Sequence, residues 1–481
     1  MSQAATLRVQ AVDAGVRPAH ESRAAILIGK VIFGSLLGLL ALTAIPYGTS
    51  HPWWIAAFIC AVFVLTILWL VDGYIKQTWF AGFGWVALPI VLLATFSLLQ
   101  TIQLPQAGPN PGGISYSTWN AISTDPYQTR FFAMELTALA LAGILAFRYA
   151  SSERRLRLII NVVIGVAVCS ALFGILRQTT QRSAGFGFIL LPADLGYGQF
   201  INKNHFAFLM EMAFGLGLGM LLLGGVRRDR QLIYFALLLP LWTAIVLSGS
   251  RGGLIALLAQ LMVAALIYSF VARKGSDNRV PSKFLQLTRT WPVRIILTLL
   301  LAAGIAIGTV WVGGDRLART FEASENQLVE DNSELRIGVS RSEIWKATRN
   351  MFLAHPFLGV GMGAYWTAVP AFHDASGTMT PQEAHNDYLE LLASGGLVGF
   401  GLGVWFLVVV VKRTRENLKS PNRFRRASCF GASIGLAGVA VHSLLDFGLH
   451  TMANALVFTT LIVIATSKAQ WAEAPTVRTY E

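Results

Sequence analysis

The chain has 481 residues, of which 54% are hydrophobic and 13% charged, and a mean hydropathy of +0.57; this balance excludes an ordinary soluble protein. The net charge of +13 is scattered over short links between apolar runs, without the basic stripe or interleaved aromatics of a nucleic-acid surface, so no nucleic-acid partner is expected. Cys60, Cys169 and Cys429 all lie inside apolar runs and offer neither a disulfide framework nor metal spacing.

The apolar runs are continuous for about 17 to 22 residues, the length of a membrane-crossing helix, whereas barrel strands alternate over roughly ten. The expected fold class is therefore an all-α polytopic membrane protein. Residues 1–23 are polar, mixed in charge and too acidic for the start of a cleaved signal peptide, so they read as a disordered cytoplasmic tail. At about 20 residues per span, about twelve transmembrane helices follow, near 24–45, 53–71, 80–99, 131–147, 158–176, 205–226, 232–247, 252–272, 295–312, 388–411, 427–445 and 452–466. The first nine occupy 24–312 and the last three 388–466; a large polar loop at 313–387 separates them, and 467–481 forms a second tail.

Links 148–157, 227–230, 273–294 and 412–426 are densely basic and fall on one side when the spans alternate, which places that side and both termini in the cytoplasm. Links 100–130, 177–204, 248–251 and 313–385 then face outward. Pro105, Pro109, Pro111, Gly112 and Gly113 make the first an irregular surface loop, closed by Tyr116, Trp119 and Tyr127 at headgroup level. Lys203, Asn204 and His205 open a helix at the end of the second.

In the third, Ser248-Gly249-Ser250-Arg251-Gly252-Gly253, Arg251 sits near membrane depth among small residues. It reads as an anion site whose exposed backbone N–H groups form a nest, or else as a tight turn with a snorkelling arginine.

The fourth begins with acidic residues, Glu322 to Glu334, which read as a solvated connector. Residues 337–352 follow a helical period, with Ile337, Ile344, Trp345, Thr348 and Phe352 on the side of Arg341 and with Lys346 and Asn350 opposite. An arginine in the middle of an apolar face needs an anionic partner, either a ligand or one of Glu322, Glu325, Glu330 and Glu334. His385 closes the loop just before the next span. Histidine is the usual general base near neutral pH, and the other reading is a helix cap.

Glu135 and Glu211 lie in spans as packing partners or site acids. His442, Asp446 and His450 flank the last outer turn, where they either line the same site or cap two helices, capping being the preferred reading. The chain carries no Walker loop, dinucleotide fingerprint or HExxH, and no convincing metal spacing. Cations and one base without a metal or cofactor suit a diphosphate substrate. Arginines would clamp it and stabilise the leaving phosphate while histidine takes a proton from the attacking hydroxyl.

Several segments together resemble the bacterial O-antigen ligase and O-antigen polymerase superfamily. They are His385-Asn386-Asp387-Tyr388-Leu389 with Gly395, Gly396 and Gly399; Ser250 to Gly253; Arg341 with Trp345; His355-Pro356-Phe357-Leu358-Gly359-Val360-Gly361; Phe200 to Phe206; and His442-Ser443-Leu444-Leu445-Asp446-Phe447. The resemblance covers roughly 198–458. It implies a C-type glycosyltransferase superfold in the bacterial inner membrane with its active site on the periplasmic face. The activity implied is metal-independent, inverting transfer of a glycan from an undecaprenyl diphosphate carrier.

By that likeness His385 activates the acceptor hydroxyl and Arg251 and Arg341 grip the donor. Lys203, Asn204, His205, Arg336 and Asn386 are further expected donor contacts. Protein-glycosylating relatives often add a large periplasmic domain after the last span, and the short segment after Thr466 argues against that branch. The acceptor stays open between lipid A core, for a ligase, and a second carrier-linked glycan, for a polymerase of O-antigen or exopolysaccharide. A flippase of the same lipid-linked glycan is the alternative, but it should line a central cavity with cations from many spans. A structural scaffold would not need arginines on apolar faces.

Overall fold

A computed structural model describes residues 23–77, 84–103, 121–183, 185–193, 195–273, 341–373 and 381–467. Outside them lie the tail 1–22, the Pro105 to Trp119 part of the first outer loop, nearly all of the basic link 273–294, the expected span 295–312, the acidic stretch with Glu322, Glu325, Glu330 and Glu334, Arg336 and Ile337, and residues 468–481.

Backbone N–H and C=O groups have no water partners in a bilayer, so apolar runs satisfy them internally as helices. The described residues are helical, with no strands beyond isolated bridges. In chain order the helices are α1 (Arg23–Leu42), α2 (Pro52–Lys76), α3 (Gly84–Gln100), α4 (Pro126–Tyr149), α5 (Glu153–Thr180), α6 (Lys203–Leu222), α7 (Gln231–Ser248), α8 (Arg251–Arg273), α9 (Arg341–Ala354), α10 (Tyr365–Ala368), α11 (Asp387–Asn417), α12 (Arg423–His442) and α13 (Met452–Thr466).

Every expected span except 295–312 corresponds to one of these, and among the described residues eight helices are long and apolar enough to cross a membrane. α3 and α13 are apolar but shorter. Apolar runs alone place some starts too late. α4 begins at Pro126 behind an Asp125 cap and α5 at Glu153 behind Ser152, so their polar first turns belong to the helices.

α6 is buried along almost its whole length. Gly215 and Gly219 meet Gly435 and Gly431 of α12 backbone to backbone, so closely that an added Cβ at Gly215 would lie 2.5 Å from the Gly435 nitrogen. Small residues on both faces permit this antiparallel crossing, as in other close membrane helix pairs. It brings the start of α6 to the end of α12. α8 joins them with its own start at the same end, where Gly252 lies against His442 and Gly253 against Ala207. At the opposite end Arg425 donates to the carbonyls of Ile464 and Ser467, closing the C-terminus of α13.

α11 is broken at Gly396 (φ 58°, ψ −160°). Residues 355–361 are threaded into the break: Leu397 and Val398 N–H donate to the carbonyls of Pro356 and Phe357 at 2.8 and 3.2 Å, while Val360 and Gly361 N–H donate to Ala393 and Ser394 at 3.1 and 3.0 Å. Gln100, fully buried at the end of α3, donates to the carbonyls of Leu358 (2.6 Å) and Ser394 (3.1 Å) and accepts from Met362 N–H (3.0 Å). Every backbone group named here thus keeps a partner where the helix is interrupted. α9 packs Ala347 and Met351 against Val360, Tyr365, Ala384 and Ala393, and Trp345 Nε1 donates to the Ala384 carbonyl at 3.0 Å. The loop helix is thereby fixed to the segment carrying His385.

Candidate functional site

Asp446 lies in the turn between α12 and α13 and is 1% exposed. Its Oδ1 accepts from the Phe447 N–H at 2.9 Å and sits 3.4 Å from His385 Nδ1. Its Oδ2 accepts from Asn204 Nδ2 and lies 3.7 Å from Arg341 Nη2. One buried carboxylate therefore joins residues from α6, from α9 and from the turn before α11. Burial alone would raise the Asp446 carboxyl; the His385 imidazole and the Phe447 N–H outweigh it and hold the group down at about 2.

The turn carrying His385 is built by local capping and by contacts with the α12–α13 turn. Asn386 Oδ1 accepts from Tyr388 and Leu389 N–H at 3.1 Å, which starts α11, and its Nδ2 donates to the Leu444 carbonyl at 3.0 Å. Asp387 N–H donates to the Ser443 carbonyl at 3.0 Å. His385 itself has φ 51°, in the left-handed region, and is 33% exposed.

Three imidazoles surround Phe447 edge-on: His205 and His385 with ring centroids at 4.8 Å and His450 at 5.6 Å. Beyond Phe447, His450 Nδ1 lies 3.3 Å from Glu383 Oε2, and its Nε2 lies 3.5 Å from Glu390 Oε1 and 3.6 Å from Asp387 Oδ1. Burial would lower the His450 imidazole, but Glu383, Glu390 and Asp387 push it well above the usual histidine range. Glu383 is held below the usual carboxylate range: burial opposes this, and the charge and hydrogen bond of His450 overcome it. Glu383, Glu390 and His450 are also near enough to one another to surround a metal ion.

The expected residues are distributed unevenly. His385, Arg341 and Asn204 converge on Asp446. Arg341 is the first described residue of α9; Ile344 and Thr348 on the same side of the helix are buried, while the Arg341 side chain is 49% exposed. Its anionic partner among the described residues is Asp446.

Arg251 and Lys203 are exposed and open α8 and α6 at the same end of the bundle. The backbone nest expected around Arg251 is largely closed. Gly249 N–H donates to Val246 O, Ser250 N–H to Ser248 Oγ, Gly253 N–H to Ser250 Oγ and Leu254 N–H to Ser250 O. That turn is a helix cap. His205 is buried, with Nδ1 on Thr451 Oγ1 at 2.7 Å, and the Asn386 amide holds the α11 cap. Arg336 lies outside the described residues.

The capping expected of His442, Asp446 and His450 does not occur at these side chains. His442 pairs with Glu211 at 3.0 Å, both fully buried, and stacks on Phe208 at 4.0 Å, so Glu211 is a packing partner. Asp446 and His450 instead contact the His385 segment. Their sequence signal was a group of ionisable residues in an otherwise apolar turn.

This arrangement is that of a multi-pass membrane protein with a polar site at one end of its helices, carrying a histidine–aspartate pair beside an arginine. Residues 235–404 match the family model described as O-Antigen ligase, which supports the O-antigen ligase superfamily and, with it, a membrane glycosyltransferase of ligase or polymerase type. No curated protein matches the chain.

Proposed function

We propose that the chain transfers a glycan from an undecaprenyl diphosphate carrier to an acceptor hydroxyl at the periplasmic face of the bacterial inner membrane. It does so by direct displacement with inversion and without a metal. The observation that carries this reading is Asp446 placed between His385 and Arg341. With Nδ1 turned to Asp446, His385 has Nε2 for the acceptor. As the hydroxyl oxygen bonds to the anomeric carbon, its proton passes to Nε2 and the bond to the diphosphate oxygen breaks. Arg341, with Arg251 and Lys203 on the neighbouring helix starts, binds the donor diphosphate and stabilises the negative charge that develops on it. Asn204 holds Asp446 in place.

The same reading takes the chain as about twelve spans in a C-type superfold. The 313–387 loop and its amphipathic helix then face the periplasm, and both termini, 1–23 and 467–481, lie in the cytoplasm. The spread of basic links and the all-helical bundle support it.

The test is transfer in vitro by the purified full chain in nanodiscs. Donor is undecaprenyl diphosphate glycan, offered with lipid A core or with a second carrier-linked glycan. Glycan on lipid A identifies a ligase and lengthened carrier-linked glycan a polymerase. Movement of the lipid-linked glycan across the bilayer without any transfer product overturns the proposal in favour of a flippase.

A further inference from the structure

The turn that carries His385 is both strained and highly charged. A left-handed histidine persists only where its surroundings hold it. Glu383 stands two residues before it, Asp387 two after, and Glu390 one helical turn further on. All three carboxylates face His450, at 3.3, 3.6 and 3.5 Å, from the same segment. Glu390 also accepts the Ala384 N–H at 2.9 Å, next to His385, so its carboxylate braces the turn directly.

Carboxyl groups gathered this closely either share a proton or need a cation among them. His450 is the cation that the fold supplies, and it comes from the turn between α12 and α13, the same turn that presents Asp446 to His385. Glu135 of α4 and His205 of α6 are the further ionisable groups that interact with His450.

We propose that His450, by its contacts to Glu383, Asp387 and Glu390, is a positioning residue that holds 383–390 closed around His385 and so fixes the His385 ring against Asp446. It does not touch the reacting atoms. The inference rests on His385 being the general base, so its test includes a separate arm for that reading.

The experiment uses the full chain in nanodiscs with the donor and acceptor that support wild-type transfer. His450→Gln is expected to lower kcat by about 10²-fold, the effect of a roughly 1 Å misplacement, and to leave KM within about 3-fold. His450→Lys keeps a cation and recovers most of kcat. Glu383→Gln placed in the His450→Gln background removes a repelling charge and recovers about 10-fold. Thermal melting of each variant checks folding; if His450→Gln alone fails to fold, His450→Lys and the double variant carry the test.

The inference is overturned by wild-type kcat in His450→Gln, or by a loss that neither lysine nor the double variant relieves. It is also overturned if wild-type activity falls on chelation and returns with a divalent cation, since the same side chains would then be serving an ion. Wild-type kcat in His385→Ala would instead remove the general-base reading on which the inference stands.

Discussion

Asp446 Oδ1 lies 3.4 Å from His385 Nδ1, and the carboxylate that makes this approach is almost wholly buried. A buried acid beside one ring nitrogen selects the tautomer that carries its proton on that side and turns the other nitrogen outward. Asp446→Asn keeps the shape and removes the charge. We expect kcat for transfer to fall by about 10² to 10⁴-fold with little change in KM. Steady-state assays measure this, and an unchanged kcat would dissociate Asp446 from the chemistry.

Arg341 approaches the other oxygen of Asp446 with half of its side chain open. An arginine that binds a diphosphate makes charge-assisted bonds in a planar fork that lysine cannot copy. Arg341→Ala is expected to weaken donor binding by about 10 to 100-fold, and Arg341→Lys to restore only part of it. Binding of labelled carrier in nanodiscs decides the matter. Equal affinity in all three proteins would confine Arg341 to a structural ion pair.

The two shifted groups of the turn predict opposite pH limbs of stability. Asp446 is held down at about 2, so its contribution is complete above the ordinary value near 4 and is lost as pH falls from there towards 2. His450 is raised, so its contribution is complete below about 6.5 and is lost as pH rises through its elevated value. Melting temperature against pH should show both limbs in the wild type. Asp446→Asn should shrink the acid limb to the part that Glu383, also held below the usual carboxylate range, contributes, and His450→Gln should lack the alkaline one.

Gln100 connects α3 to the break in α11 through three hydrogen bonds. Gln100→Leu leaves the Met362 N–H and the Leu358 carbonyl without these partners in a dry site. A loss of roughly 2 to 4 kcal/mol is expected, as several buried polar groups lose their partner at once. Denaturation in detergent tests this; a variant as stable as wild type would mean that the 355–361 segment holds the break without α3.

The helix content was readable because a continuous apolar run has one stable form in a bilayer. His385, Arg341 and Asn204 were readable too, as polar residues beside apolar runs. For Asp446 and His450 the site reading comes second, because local context assigns a turn between two helices to capping. What defines Asp446 is contact with Asn204, 242 residues earlier, made possible only by the glycine crossing of α6 and α12. Gln100 and Arg177 carry no local signal for a similar reason. Arg177 is buried and donates to the carbonyls of Gly198, Pro192 and Leu195, so it shapes the loop before α6 from inside the bundle. Around Arg251 the composition suggested an open nest, whereas Ser248 and Ser250 use their own hydroxyls to occupy those N–H groups.

The threading of 355–361 through the break in α11 bears on how such chains can diverge. The loop and the helix share one set of backbone hydrogen bonds, and neither set is complete without the other. Residues 356–361 and 393–398 therefore fit one another as a pair. A chimera joined between 361 and 387 would pair one parent's loop with the other's broken helix, whereas exchange of the whole pair would carry its fit along.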